Sequence, residues 1–298
     1  MQTTGLFTCP RENFIIPARL GRPVYFVPFG DIHFDSPLHV EHRFDEFLKW
    51  AKDTPDAYFL GMGDYIDFVS ARGRVSLTRL KAQVKTEMHE NNAEDVIKAV
   101  ENQADGHISR FATKLIKAGM KGRLIGLLDG NHDFPFSDGT NTTQRLCRLL
   151  DCRYLGVCSY IGLTIQADNA RRNLDIWAHH GRGSARLPGG SINNVVQMSH
   201  DAEADFYCMG HDHKRSATPG QTGKRVWTKN GYVFRHREKY YIRTGAFTKA
   251  YEDGVRAYPV DAAMPLNQIG VCKIAITMKR HERHGKEREA VLHMEAIV

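Results

Sequence analysis

Residues 124–133 of this 298-residue chain, LIGLLDGNHD, decide its fold. A short apolar run that ends at a glycine predicts a buried strand. Asp129, Asn131, His132 and Asp133 come directly after this run. In open α/β sheets the loops that leave the carboxyl ends of strands converge on one crevice. The stretch therefore predicts an α/β protein with a polar site at the strand ends.

Four other polar clusters follow apolar runs in the same way. They are Asp31-Ile32-His33, Gly63-Asp64, His180-Gly181 and Gly210-His211-Asp212-His213. Taken alone, Asp31-Ile32-His33 is more often a turn or a helix cap, and Gly63-Asp64 is a weaker signal still, whereas Gly-His-Asp-His after an apolar strand is a stronger one. Together, and in this order, they supply carboxylate, imidazole and amide ligands in the number that a binuclear metal centre needs.

The remaining pattern predicts two kinds of sheet. Apolar runs predict strands at 24–29, 58–60, 124–128, 174–178 and 206–209, and helical spacing predicts helices at 40–51 and 93–118. This alternation favours βαβ units with parallel pairing. Strands predicted at 224–235, 239–244, 271–278 and 290–296 favour a more antiparallel or mixed second sheet. Because no composition break divides the chain, a single domain over residues 1–298 is predicted.

Composition indicates the class of protein. Lys and Arg number 41 against 34 Asp and Glu, and the net charge of +7 suits a polyanionic partner or phosphorylated substrate as well as an ordinary solvated surface. Six cysteines without a CxxC pair or zinc-finger spacing predict reduced thiols. Residues 1–20 lack the apolar core of a signal peptide, and no apolar run approaches the ~20 residues that span a bilayer. We expect a cytoplasmic protein with no membrane partner.

The spacing within the clusters favours shared metal ligation. Asp31 and His33 lie two residues apart, so in an extended strand end both side chains point the same way. His211 and His213 have the same relation. Asp64 is a single carboxylate at a strand end and can bridge two ions. Mixed oxygen and nitrogen ligands suit Mn²⁺, Fe, Zn²⁺ or Co²⁺ better than Ca²⁺ or Mg²⁺ alone.

The ordered set D-x-H, G-D, G-N-H-D, H and G-H-x-H, which covers residues 31–213, resembles the pattern of the calcineurin-like metallophosphoesterase family. The resemblance implies a four-layer sandwich, with two mixed β-sheets flanked by helices. It implies one ion held by Asp31, His33, Asp64 and His213, and a second held by Asp64, Asn131, His180 and His211. Mn²⁺ is favoured for both, with Fe, Zn²⁺, Co²⁺ and Ni²⁺ as alternatives. It also implies hydrolysis of phosphate esters through a hydroxide that attacks phosphorus in line.

In the family the position of His132 protonates or stabilises the leaving alkoxide, a role that suits a side chain whose reference pKa is near neutral. The ring needs an orienting carboxylate. Asp67 resembles the partner found in the protein phosphatase branch, and Asp133 is the competing candidate. Arg182 and Arg186 are candidates for binding the substrate phosphate, because a guanidinium matches phosphate geometry.

Several other residues have less specific interpretations. The basic stretch 72–85, within residues 68–92, fits either a flap over the site or the polar face of a helix. Strand alternation turns His179 away from the site. His39 and His42, at the start of a predicted helix, are expected at the surface.

The favoured function is that of a phosphodiesterase, with nucleic acid as a candidate substrate and nuclease activity as its consequence. The alternative is a phosphomonoesterase, such as a nucleotide or protein phosphatase. Phe68 and Asp129 stand where the protein phosphatase branch carries phosphate-binding arginines, which counts against that branch. A non-catalytic binding scaffold is a remote alternative, because no ligand of the pattern is missing and His132 is present.

Overall fold

Two β-sheets packed face to face form the centre of the molecule. The computed structural model describes residues 13–67, 93–183, 185–228, 231–255, 258–261, 263–283 and 287–298. The five-stranded sheet contains Pro23–Phe29 (β2), Ala57–Gly61 (β3), Leu124–Leu127 (β4), Lys273–Arg283 (β10) and Glu287–Ile297 (β11). The six-stranded sheet contains Phe14–Pro17 (β1), Cys158–Ala167 (β5), Ala170–His179 (β6), Phe206–Met209 (β7), Arg215–Thr228 (β8) and Gly231–Thr244 (β9).

Both sheets are mixed, as predicted. The order in the smaller sheet is β11-β10-β2-β3-β4, where β2, β3 and β4 are parallel and β10 is antiparallel to β2 and β11. The order in the larger sheet is β1-β5-β6-β7-β9-β8, where β6, β7 and β9 are parallel. Parallel neighbours end at the same edge of a sheet, so each sheet carries a group of loops that leave together.

Helices cover the outer faces and complete four layers. They are Glu41–Asp53 (α1), Ala93–Lys117 (α2), Thr142–Leu150 (α3), Pro188–Gln197 (α4) and the short Tyr258–Asp261 (α5). Helices α1, α2 and α3 pack on the five-stranded sheet through a core that includes Phe44, Phe111 and Leu146. Helix α4 packs on the six-stranded sheet through Val195, against Tyr207. The predicted four-layer sandwich is confirmed.

The core between the sheets explains why the strands are apolar runs rather than alternating patterns. Phe26 and Leu60 from the smaller sheet meet Phe206 and Ile242 from the larger one. The rings of Phe26 and Phe206 stack with their centroids 5.1 Å apart. All five residues of β3 are buried, because helices cover its other face. Strands buried on both faces have no polar side to alternate with.

One predicted strand is wrong. The range 224–235 was expected to be a single strand, but β8 ends at Thr228 and β9 begins at Gly231. The chain reverses direction between β8 and β9, and this turn is difficult to recognise because strand-forming residues lie on both sides of it. The dipeptide Asn230-Gly231, a common hairpin signal, could have revealed it. Strands β1 and β5 and helices α3 and α4 are further elements that were not predicted from the sequence.

Two other expectations concern membrane-spanning helices and the flap over the site. Within the described residues, none of the helices combines the length and the apolar character needed to cross a membrane. The flap proposed for residues 68–92 falls outside the described ranges.

Candidate metal centre

The seven predicted ligands follow five strands whose ends meet between the two sheets. Asp31 and His33 follow β2, Asp64 follows β3, Asn131 follows β4, His180 follows β6, and His211 and His213 follow β7. The structure brings all seven together, although they come from positions up to 182 residues apart.

Asp31, His33 and His213 form the first group. Each offers one ligand atom, and these atoms lie within 4.8 Å of one another. Oδ1 of Asp31 is 3.5 Å from Nε2 of His213. The Asp31 side chain is fully buried, and its Oδ2 accepts a hydrogen bond of 2.9 Å from the backbone N–H of His211. This carboxylate is therefore fixed in position beside two imidazoles.

Asp64, His180 and His211 form the second group, with ligand atoms again within 4.8 Å of one another. Nε2 of His180 lies 3.4 Å from Oδ2 of Asp64. The Oδ1 atom of Asn131 lies 2.9 Å from Nε2 of His180 and 2.8 Å from Nδ1 of His211. The amide oxygen of Asn131 thus joins the second group, as the family resemblance implies.

Asp64 stands between the two groups. Its Oδ2 atom, which is close to His180, is also 3.8 Å from Nε2 of His33 in the first group. Its Oδ1 atom accepts a hydrogen bond of 3.0 Å from the backbone N–H of His132. A carboxylate in this position can contribute to both groups at once, which is what a bridge between two cations requires.

The donor atoms at the centre fit divalent cations. Nδ1 of His180 lies 2.6 Å from the carbonyl oxygen of Met62 and donates to it, which leaves the lone pair of Nε2 directed at the centre. Among the residues that the structure describes, Nε2 of His33 is a buried nitrogen without a hydrogen-bond partner. Buried polar atoms normally have a partner. Carboxylate, amide and imidazole groups that converge in this way provide the mixed ligand set of a transition-metal site.

The electrostatics of the ligands agree with this interpretation. Burial alone would raise the pKa of Asp64, but the neighbouring histidines, His180 above all, together hold the pKa well below its usual value. Burial alone would lower the pKa of His180, but the charges of Asp64 and Asp31 and the hydrogen bonds to Asp64 and Met62 together raise it to about 9. Burial and repulsion from His132 lower the pKa of His33 to about 4, so this ring is a neutral ligand near pH 7. The negative charges at the centre thus attract cations.

Five of the ligands have a backbone conformation that the sequence analysis did not foresee. Asp31 and His33 were expected in an extended strand end, but their φ angles are +50° and +47°. Asp64, His211 and His213 also have positive φ, at 51°, 71° and 56°. The left-handed region costs a non-glycine residue about 1–2 kcal/mol. Such conformations concentrate at functional sites, where the surrounding structure holds them in place.

Glycines allow two of the ligand loops to approach each other. A Cβ atom on Gly130 would collide with the backbone nitrogen and the carboxylate of Asp64. Gly63 has a φ of +99°, and a Cβ atom there would lie 2.6 Å from Nδ1 of His180. The glycines of the G-D and G-N-H-D motifs are therefore needed for the close contact between the loops that carry Asp64 and Asn131.

The structure distinguishes the two candidate partners of His132. Oδ1 of Asp67 lies 3.2 Å from Nδ1 of His132. Asp133 instead accepts a hydrogen bond of 3.0 Å from Oγ1 of Thr143. Burial and the neighbouring carboxylate of Asp129 raise the pKa of Asp133 to about 9. Asp133 is therefore neutral near pH 7 and faces the start of α3.

The other residues singled out in the sequence have different positions. Arg182 and Arg186 are exposed in the loop between β6 and α4, and Arg182 comes two residues after His180. Nδ1 of His179 accepts a hydrogen bond of 2.7 Å from the backbone N–H of Gly181, and this residue belongs to neither ligand group. The expectation of a surface position is wrong for His39. Its ring is partly buried against Phe34 and Phe44, and its Nδ1 bonds to the carbonyl oxygen of Ile32 at 2.8 Å.

Arg243 supports the G-H-D-H loop from behind, a role that the sequence analysis missed. Its buried guanidinium donates to the carbonyl oxygen of Gly210 at 2.9 Å and to that of Ser191 at 2.9 and 3.0 Å. It also lies 3.3 Å from Oδ2 of Asp212, which accepts a hydrogen bond from the Ser191 hydroxyl. Asp212 therefore anchors the loop between His211 and His213. An isolated arginine in a strand gave no sequence signal for this contact.

Comparisons with known proteins give no family assignment. No protein-family model and no curated protein matches the chain. Vps29 from Chaetomium thermophilum is 10% identical with a TM-score of 0.34, and the match covers 91% of this chain and 97% of that chain. A predicted phosphoesterase from Streptococcus pneumoniae is 11% identical with a TM-score of 0.28, over 91% and 98%. GAP50 of Plasmodium is 11% identical with a TM-score of 0.36, over 91% and 88%.

Proposed function

We propose that this protein is a metal-dependent phosphoesterase of the calcineurin-like metallophosphoesterase family, and that it hydrolyses phosphodiesters. One observation carries the proposal. Asp64 lies between two groups of ligand atoms, 3.4 Å from His180 in one and 3.8 Å from His33 in the other. A buried carboxylate that two clusters of ligand atoms share is suited to hold two cations side by side.

The ions of the proposed centre would neutralise charge on the phosphate and activate a water molecule as the nucleophile. Asp31, His33, Asp64 and His213 would hold one ion, and Asp64, Asn131, His180 and His211 would hold the other. The ligands combine oxygen and nitrogen donors, which suit Mn²⁺, Fe, Zn²⁺, Co²⁺ and Ni²⁺. Among these ions we favour Mn²⁺.

His132 would hold a proton for the leaving oxygen. Burial alone would lower the pKa of His132, but the hydrogen bond to Asp67 and the nearby negative charges raise it. Because Nδ1 faces Asp67, the other nitrogen, Nε2, is left to carry the transferable proton. A raised pKa favours the protonated ring, which is the form that a general acid needs.

The region around the ligands favours a diester over a monoester. A phosphate monoester carries more negative charge than a diester and needs more cationic side chains to bind it. Asp129 stands where the protein phosphatase branch has an arginine, and its carboxylate accepts hydrogen bonds from Tyr154 and from Asn141. Arg182 and Arg186, at the rim, are the side chains that we propose to contact the substrate phosphate.

Phosphomonoesterase activity is the second candidate, because the contact between Asp67 and His132 follows the pattern of the protein phosphatase branch. Nucleic acid is our candidate among diester substrates, since the net charge of +7 favours a polyanion.

The test compares hydrolysis of bis-nitrophenyl phosphate with that of nitrophenyl phosphate, using purified protein with Mn²⁺ and with a chelator. The proposal expects faster turnover of the diester, and its abolition by the chelator. Preference for the monoester would favour a phosphatase. If two ions bind and neither ester nor any oligonucleotide is hydrolysed, the chain is a binding scaffold and the proposal is wrong.

A further inference from the structure

The hairpin formed by β8 and β9 extends far beyond the body of its sheet. Each strand has 14 residues, which at about 3.3 Å per residue corresponds to roughly 45 Å. Strand β7 pairs with β9 only at residues 240–243. We call the outer part of the hairpin, residues 220–228 and 231–239, the arm. Its strands pair with each other through the whole of this length.

The whole hairpin, residues 215–244, holds the positive charge excess of the chain. Residues 215–244 contain eight of the 41 Lys and Arg residues but only one of the 34 Asp and Glu residues. The remainder of the chain contains 33 of each sign and is formally neutral. Arg237 is bonded to Asp205, and Arg243 is buried at the metal centre. Lys239, at the base of the arm, is also buried. Lys224, Arg225, Lys229 and Arg235 lie in a stretch of sequence without any acidic residue, 213–237.

One face of the arm carries exposed aromatic rings. Trp227 pairs directly with Tyr232, and Arg225 pairs directly with Phe234, so these four side chains share a face. Trp227, Tyr232 and Phe234 are 67%, 60% and 66% exposed. The centroids of the Trp227 and Tyr232 rings are 4.8 Å apart, and the Arg225 guanidinium lies 3.7 Å from the Tyr232 centroid. The Phe234 ring lies across Gly223, where a Cβ atom would collide with it.

Three large rings grouped in solvent indicate an interaction surface. The mixture of rings and basic residues indicates the kind of partner. Bases stack on aromatic side chains regardless of sequence, while Lys and Arg follow the phosphate backbone. Pairing of two arms would bring like charges together, which disfavours a second copy of the chain. Arg225 among the rings interrupts the apolar stripe that insertion into a lipid surface would require.

We propose that the arm binds single-stranded nucleic acid, by stacking of bases on Trp227, Tyr232 and Phe234 and by contact of Arg225 and Arg235 with phosphates. This inference rests on the proposed function, because it names nucleic acid as the class of phosphodiester that the protein would bind and hydrolyse. The rings lie ten or more residues along β8 from Arg215, which itself follows the ligand His213 by two residues. At about 3.3 Å per residue they are roughly 35 Å from the centre. The arm is therefore an anchor and takes no part in the chemistry.

The test measures binding of a fluorescein-labelled 30-nucleotide oligo-dT by anisotropy, with the metal chelated so that hydrolysis cannot contribute. The variant Trp227→Ala/Phe234→Ala is expected to bind roughly tenfold more weakly or worse, as is typical for the loss of stacking platforms. The variant Arg225→Ala/Arg235→Ala is expected to reduce the slope of log affinity against log salt by about 1.4, the value for two lost phosphate contacts on a single strand. Lys121→Ala/Arg148→Ala and Leu266→Ala are matched controls at exposed positions outside the hairpin, and they should bind like the unaltered protein.

Several results would contradict the inference, and each can be recognised separately. Equal binding by the arm variants and the controls, or no binding by the unaltered protein, would overturn the inference. So would binding of anionic phosphatidylglycerol vesicles without binding of oligo-dT, or a dimer that only the aromatic variant dissociates in sedimentation. Thermal unfolding of each variant shows whether it is folded. Turnover of bis-nitrophenyl phosphate by the metal-loaded variants is expected to be unchanged. The binding assay therefore tests the arm, and the turnover assay tests the proposed activity separately.

Discussion

Oδ1 of Asp67 lies 3.2 Å from Nδ1 of His132, across 65 residues of sequence. Asp133, adjacent to His132 in the chain, contacts Thr143 instead. The contact with Asp67 orients the imidazole and contributes to the rise of its pKa. This relationship distinguishes Asp67, the partner that the sequence pattern favours, from the competing candidate Asp133.

We therefore expect His132→Ala to keep two ions and to slow turnover by about 10²–10⁴-fold, the usual contribution of a general acid. The loss should be largest for esters with poor leaving groups, because those need the proton most. Asp67→Asn should show the same dependence on the leaving group with a smaller loss. Asp133→Asn is the matched control. The pKa of Asp133 is about 9, so the amide replaces a carboxyl that is already neutral at pH 7. An equal loss for Asp67→Asn and Asp133→Asn, or for activated and natural esters, would contradict the assigned roles.

Asp64→Asn should remove both the bridge and the activity. The substitution takes one negative charge from the shared position, so two neighbouring cations would no longer be compensated. Metal content, measured by mass spectrometry of the purified protein, should fall below two ions per chain. Asp201→Asn, at an exposed position, provides the control. A variant that retained two ions and full turnover would show that Asp64 is not the bridging ligand.

The neighbouring histidines at positions 179 and 180 provide a matched pair. His180→Gln should bind fewer ions and lose most activity, because the Nε2 atom of His180 faces Asp64 and Asn131. His179→Gln should keep its metal content, because the side chain of His179 bonds to the backbone of Gly181 and belongs to neither ligand group. Metal analysis and turnover of both variants decide the point. The assignment is wrong if His179→Gln loses metal and His180→Gln does not.

Arg243→Met should destabilise the protein by about 3–5 kcal/mol, the usual result when one member of a buried ion pair is removed. The substitution leaves the carboxylate of Asp212 buried without its charge partner and frees the carbonyl oxygens of Gly210 and Ser191. Urea denaturation of chelated protein measures the change. Arg243→Met/Asp212→Asn should recover part of the loss, since it removes the unpaired charge. A cost below about 1 kcal/mol for the single variant would contradict a supporting role for Arg243.

His39 should make the free energy of unfolding depend on pH. Burial lowers the pKa of His39 in the folded protein, so the unfolded chain binds a proton first as the pH falls below the usual value of 6.5. Stability is therefore lost as the pH falls through 6.5 towards the lower folded pKa. In urea denaturation of chelated protein at pH 7.5 and 5.5, His39→Gln should lose less stability on acidification than the unaltered protein. His42→Gln, at an exposed position three residues away, should behave like the unaltered protein. A pH dependence that His39→Gln leaves unchanged would exclude His39 as its source.

Much of the fold could be predicted because it depends on local patterns. The strand at 206–209 was predicted with its observed ends, and the helix predicted at 93–118 ends within one residue of its observed end at Lys117. In each of these two elements the apolar residues follow one uninterrupted pattern. The prediction failed at 224–235, where two strands of similar composition follow each other and only residues 229 and 230 separate them.

The apolar runs and the polar residues after them were enough to predict where the buried strands end, and the resemblance to a known family pattern supplied the seven candidate ligands. The contact between Asp67 and His132, the support of the Asp212 loop by Arg243, and the left-handed backbones of Asp31 and four other candidate ligands could be recognised only once the chain was folded. The difference comes from the range of the interactions. Strand formation depends on neighbours within a few residues, whereas the partner of a buried charge and the strain that a loop can bear depend on the packing of distant segments.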